Sequence, residues 1–379
     1  MIPVGLYIHI PWCEKKCPYC DFNSHEIKKN KSSYTNNKEY LEALFDDIDS
    51  ELDKSIPNLK INSIFIGGGT PSLMPPDFYF LLFSKLEKSF DFEKDIEVTL
   101  EANPGAVDVN NFTGFIEAGI NRLSIGCQSF SDSHLKILGR IHTGRDIIKA
   151  YESARKSGFK NINLDIMHGL PSQSVKQGLK DLRQAVELSP EHISWYQLTI
   201  EQNTIFYKSP PTLPNENILN NLFSQGMNLL DNCGYHQYEV SAYCKDNNIC
   251  SHNLNYWQFG DYIGIGAGAH GKITKPNGEV IRKWKTRIPD DYIKNKSKIS
   301  GLQSVKINNL SSEFMMNCLR LNEGFTEELF EYRTGLKFLN IEEKISSLIS
   351  RGLIEKNKLT YNTTVKGKLF LNDVLVSFL

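Results

Sequence analysis

The chain has 379 residues, 40% of them apolar and 23% charged, the balance of a soluble globular protein with more chain than one small core uses. Its 43 Lys and Arg against 44 Asp and Glu leave a net charge of −1, which calls for neither nucleic acid nor an anionic membrane surface as a partner. No apolar run approaches the roughly 18 residues that span a bilayer, no leader of basic then apolar residues opens the chain, and eight cysteines are too sparse for a disulfide scaffold, so the expected location is the cytoplasm.

In chain order, β-rich runs fall at Val4–His9, Ile61–Ile66, Ile96–Ala102, Arg122–Gly126, Asn161–Ile166 and His192–Leu198. Helical patterns lie between them. Leu41, Leu44, Phe45, Ile48 and Leu52 form one apolar stripe over Tyr40–Leu52, and Ser174 with Gln177 is a capping box ahead of Leu179, Leu182 and Val186. Lys28–Lys38 reads as a polar surface loop. Strand and helix repeated six times predict an α/β fold with parallel strands, either a partial (β/α)6 barrel or a doubly wound sheet. Three prolines in Ser209-Pro-Pro-Thr-Leu-Pro214 stop the rhythm. A helix follows over Ile218–Leu230, then a hairpin over Lys272–Trp284 turned by Asn277-Gly278. Helices over Phe314–Leu321, Thr326–Tyr332 and Ile341–Arg351, and two short strands within Leu353–Thr363, predict a smaller α+β, winged-helix-like C-terminal unit. The expected division is 1–208, 209–300 and 301–379.

The loop after the first strand carries Cys13-Glu-Lys-Lys-Cys17-Pro-Tyr-Cys20. Three close thiolates can hold three irons of a cubane cluster and leave the fourth iron open to substrate. The alternatives are three incidental cysteines or a zinc site, for which His9 and His25 are the poor fourth ligands at hand. Gly67-Gly68-Gly69-Thr70-Pro71 follows the second strand, where backbone can approach a ligand and point amides at an anion, or can simply turn tightly. Glu101, Gln128 and Asp165 end successive strands, with Arg140 in the next connection. Each alone reads as a surface or capping residue; together they form the rim of one barrel mouth. Gly264-Ile-Gly266-Ala-Gly268-Ala269 fits G-x-G-x-x-A, but a hairpin rather than a helix follows, which rejects a dinucleotide site. Cys127, Cys233 and Cys318 read as buried small hydrophobes, and Cys244 with Cys250 near His252 as a loosely spaced metal pair of low rank.

Leu6-Tyr-Ile-His-Ile-Pro-Trp-Cys13 and Cys17-Pro-Tyr-Cys20-Asp-Phe-Asn-Ser24 resemble the radical-SAM superfamily. Within it they resemble the subgroup of oxygen-independent coproporphyrinogen III oxidases and haem chaperones, over the chain to about Gly271. The resemblance implies a [4Fe-4S] cluster on Cys13, Cys17 and Cys20, with S-adenosylmethionine chelating the open iron through its amino and carboxylate groups and cleaved by an electron from the cluster. It assigns Gly68, Gly69 and Thr70 to the methionyl amino end, Glu101, Gln128, Arg140 and Asp165 to the same cofactor, and Tyr7 and Tyr19 to its surroundings. A reductant such as flavodoxin is an implied partner. Two functions divide the subgroup. The oxidase pattern places a further cysteine two residues after the third; here Phe22 stands there, as in the chaperone branch. His252-Asn-Leu-Asn-Tyr256-Trp257 matches that branch's HNxxYW motif, in which an imidazole can ligate haem iron and two aromatics can pack on a macrocycle. The alternative is a histidine in a buried hydrogen-bond network with two core aromatics. The branch implies haem as ligand and haem-acceptor proteins, at the membrane surface, as partners; a radical-SAM enzyme with another substrate is the third reading.

Overall fold

The computed structural model describes residues 3–27, 33–52, 59–105 and 109–379. Of the loop expected over Lys28–Lys38, residues 28–32 lie outside the described residues, and the rest belongs to helix α1 (Ser33–Glu51).

The six expected strands are present: β1 (Pro3–Ile10), β2 (Lys60–Gly68), β3 (Asp91–Ala102), β4 (Arg122–Gln128), β5 (Asn161–His168) and β6 (His192–Gln197). They lie side by side in chain order, each parallel to the last. The crossovers are α1, α2 (Pro76–Ser89), α3 (Val109–Glu117), α4 (Gly144–Ser157) and α5 (Val175–Glu187), whose Ser174–Gln177 capping box is formed. Successive strand residues point to opposite faces. Leu6, Ile8, Ile64, Ile66, Val98, Leu100, Leu123, Ile125, Ile162 and Leu164 take the helix side and make the main core. The residues between them, including Tyr7, Ser63, Glu97, Glu101, Ser124, Asn163 and Asp165, therefore face the barrel interior. One face supplies the stability and the other is left free for chemistry.

The sheet extends further than the β-rich runs foretold. Strand β7 (Asp261–Ile265) pairs parallel to the outer edge of β1, and the hairpin His270–Thr274 with Val280–Lys285 continues antiparallel from it. Ala242–Cys244 pairs antiparallel to β6 at the other edge. The result, among the described residues, is an open twelve-stranded mixed sheet. Helix α6 (Glu216–Asn232) follows the proline break, and the short α7 (Ser251–Trp257) packs on β1 and β2. The added strands are tied to α1 by charge: the Lys285 ammonium donates to Asp47 at 2.5 Å and to Glu51 at 2.6 Å, all three side chains buried. The Tyr292 hydroxyl donates to Asp47 at 2.6 Å.

The C-terminal unit has its own apolar cluster, from Leu310 and Phe314 to Val374 and Phe378, which also takes in Phe259 and Val280 from the sheet. Its helices and a three-stranded antiparallel sheet match the winged-helix expectation. Among the described residues no helix is long and apolar enough to cross a membrane.

Candidate cofactor site at the barrel mouth

The cysteine loop is pinned at both ends. Trp12-Cys13 pairs with His25-Glu26 in a two-residue parallel ladder, and the His25 amide donates to the Pro11 carbonyl at 2.7 Å. A residue unremarked in the sequence holds its far side. The Asn23 side-chain amide donates to the carbonyls of Ala267 (2.9 Å) and Arg287 (2.8 Å), and its oxygen meets His25 Nε2 (3.1 Å) and accepts from Arg287 Nε (3.3 Å). That engages both donors and both acceptor positions of the amide. The glycine run 264–269 therefore serves as the shelf on which the cysteine loop rests, and no helix opens from it.

Cys13, Cys17 and Cys20 line one side of a cavity of about 380 Å³. Among the described residues no three His, Cys, Asp or Glu side chains converge on a single-ion centre, as structural zinc requires, and Cys244 and Cys250 gather no such set either. The trio is instead spread along one loop facing a cavity, which fits a cluster whose irons each take one thiolate. Arg140 Nη1 donates to Cys17 Sγ at 3.6 Å, which ties the connection after β4 to the cysteine loop. Burial, reinforced by Cys20 and Cys17, pushes the Cys13 thiol up to about 11.

The other wall is the set of strand ends. Gly68, Gly69, Thr70, Glu101, Gln128, Arg140 and Asp165 all line this cavity, and Tyr19 lines it from the cysteine loop. Tyr7 stands behind the wall, its hydroxyl 3.0 Å from His9 Nδ1. The glycine turn is not the free-amide cradle expected: Gly68 N–H donates to Glu101 Oε2 (3.2 Å), Gly69 N–H to the Ile10 carbonyl and Thr70 N–H to the Trp12 carbonyl (both 2.7 Å). Its glycines are required by proximity. A Cβ on Gly69 would lie 2.4 Å from the Trp12 oxygen, and Gly68 has φ +115. Gln128 sits at φ 67, where the β4–β5 register slips, lines the cavity and accepts from the Tyr196 hydroxyl at 2.7 Å; a left-handed backbone at a non-glycine residue is a local strain. Burial, then the charge of Asp165, raises Glu101 to about 8, against the pull of the Gly68 amide. Asp165 is raised by burial and relieved by Ser124, Asn163 and Ser194. Carboxyls of this kind can accept from the two hydroxyls of a ribose.

His252, Tyr256 and Trp257 do not join this cavity. His252 enters the barrel from the opposite end: its ring stacks on Phe65 at 5.2 Å, Nδ1 is 3.4 Å from Ser63 Oγ, and its backbone amide donates to Glu97. Burial, then Arg122, lowers its pKa to about 4, so the imidazole is neutral and a competent metal donor. Its Nε2 has no hydrogen-bond partner among the described residues. Asn255 is structural: Nδ2 donates to the Asp261 carbonyl at 2.9 Å, and the side chain fills the space beside Gly5 and Gly260. Tyr256 is 41% exposed. Sequence reading also missed the polar lumen between the two ends, where Asn163 links Asp165 (2.9 Å) to His192 (2.6 Å) and His192 meets Tyr238 OH (2.9 Å). Polar residues alternating with the apolar ones along β3 to β6 were its signal.

The family model for the Radical SAM superfamily matches residues 7–185, and that for the HemN C-terminal domain matches 308–370. Among solved structures, Escherichia coli coproporphyrinogen III oxidase (HemN), described as a radical SAM enzyme, superposes with a TM-score of 0.81 at 19% identity, over 100% of this chain and 90% of that one. Fold and cysteine loop together define a radical-SAM protein. Among curated relatives, the proteins named "Heme chaperone HemW" of Haemophilus influenzae and Escherichia coli are 48% and 45% identical, over 100% of this chain and 98% of theirs. The chain belongs to the HemW family of radical-SAM proteins.

Proposed function

We propose that this protein is a haem carrier built on a radical-SAM barrel, binding a [4Fe-4S] cluster and S-adenosylmethionine at the barrel mouth and haem at the HNxxYW helix, and delivering haem to acceptor proteins. The observation that carries the reading is full-length identity of 45–48% to proteins named as haem chaperones. The site chemistry supports it. Cys13, Cys17 and Cys20 would hold the cluster, Gly68, Gly69 and Thr70 would meet the methionyl end of the cofactor, and Glu101 and Asp165 would accept from its ribose. When bound, the pair supplies one-electron cleavage chemistry; this chain's residues bind, orient and enclose it. Phe22 is 61% exposed at the cavity mouth, where the oxidase pattern has a cysteine, and this favours carrier over oxidase. His252 Nε2 offers an axial ligand, with Tyr256 and Trp257 as apolar neighbours. In this division residues 1–208 carry the cofactors, 209–300 the haem motif and 301–379 the C-terminal unit, working in the cytoplasm with a flavodoxin-like reductant and acceptors at the membrane surface.

The test is direct. Purified protein should bind haem with a Soret band, and His252→Ala should weaken binding or shift the band while Trp257→Ala weakens it less. Protein that binds no haem in either redox state refutes the reading.

A further inference from the structure

Helix α7 ends beneath a side chain from the C-terminal unit. Arg320, just past the helix Ile307–Cys318, sets its guanidinium 5.6 Å from the centroid of Trp257. Tyr256 stands at 75° to Trp257 with centroids 5.4 Å apart, and Tyr262 of β7 lies 5.6 Å from Tyr256. Three part-exposed rings and one guanidinium therefore share a face.

The guanidinium makes no hydrogen bond or ion pair with any described residue. Its neighbours explain why. Glu239 is buried and its Oε1 is 3.3 Å from the Ser241 hydroxyl; it acts on Arg320 only at a distance, so burial still lowers the guanidinium pKa despite the opposing charges of Tyr256 and Glu239. Arg282, the arginine beside Tyr262, is committed to Glu313 at 2.6 Å. A cation half withdrawn from water without a directly paired acid is unfavourable unless a partner arrives. A planar guanidinium over an indole, beside an exposed phenol, suits a planar apolar ligand that carries a carboxylate at its edge.

We propose that Arg320 is the carboxylate anchor of the haem site: one haem propionate pairs with Arg320 while the macrocycle packs on Tyr256 and Trp257. This rests on the haem-carrier reading and adds the C-terminal unit to the site, so the ligand spans two parts of the chain. The other propionate is left in water.

Haem and its dimethyl ester, which has the same macrocycle and no carboxylates, separate the two ideas. Titrated into full-length protein, haem should bind wild type at least tenfold more tightly than the ester. Arg320→Gln should lose roughly tenfold or more in haem affinity and leave the ester unchanged; Arg320→Lys should recover part of the loss. Thermal melting of each variant controls for folding. Equal loss for haem and ester would make Arg320 a packing residue and overturn the proposal, as would wild type that binds both equally. Wild type that binds neither overturns the haem-carrier reading itself.

Discussion

Glu101 is a carboxyl that the barrel keeps largely protonated at neutral pH, because burial and Asp165 hold it near 8. Its folded pKa lies above its usual value, so the fold binds its proton more tightly than the unfolded chain does. The stability this gives is present at low pH and is lost as pH rises towards 8. A ribose is held best by the carboxylate. Affinity for S-adenosylmethionine should therefore rise with pH, by up to about tenfold per unit, and flatten above the pKa. Calorimetry in buffers of different ionisation enthalpy should show proton release near pH 7. Glu101→Gln should abolish both effects; a pH-independent affinity in the wild type would remove Glu101 from the site. Asn23 makes a second prediction. Asn23→Ala strips four contacts from the cluster loop, leaves the Ala267 and Arg287 carbonyls short of a donor, and should weaken the loop by about 1–3 kcal/mol. The visible absorbance of reconstituted cluster should then decay faster under a chelator. An unchanged decay rate would show that the ladder at Trp12-Cys13 holds the loop without it.

At the scale of elements, the buried charge cluster between α1 and the added strands is the most exposed to a single change. Lys285→Met leaves Asp47 buried without a cation and Glu51 with Lys283 alone, and should destabilise the protein by about 3–5 kcal/mol in denaturant unfolding; a loss below 1 kcal/mol would show that water reaches the Asp47 carboxylate. None of this cluster was legible in the sequence, because Asp47 and Lys285 stand 238 positions apart. Local signals read well by contrast. The capping box at Ser174 and the turn at Asn277-Gly278 both rest on contacts within a few residues. The barrel strands were legible because alternate positions are apolar. Strand β7 was not, since Asp261-Tyr-Ile-Gly-Ile265 owes its place to pairing with β1. The cysteine trio was readable for the same local reason, whereas the shelf beneath it is a tertiary contact.

Across the whole molecule the two candidate sites occupy opposite ends of one barrel. Ser63, beside His252, precedes Gly68 at the cavity by five residues on β2, roughly 16 Å at the rise of a strand. The sites should therefore be separable by mutation. Replacing Cys13, Cys17 or Cys20 by Ala should abolish the cluster's absorbance and its paramagnetic signal after reduction, and leave haem binding intact. His252→Ala should do the reverse, and a triple cysteine variant that still assembles a cubane would break the assignment. The most direct test puts both properties on one sample. Protein reconstituted with iron and sulfide under anaerobic conditions, with reductant and S-adenosylmethionine, should bind haem stoichiometrically and form no protoporphyrinogen from coproporphyrinogen III. Robust turnover without haem binding would contradict the account and make the protein an oxidase.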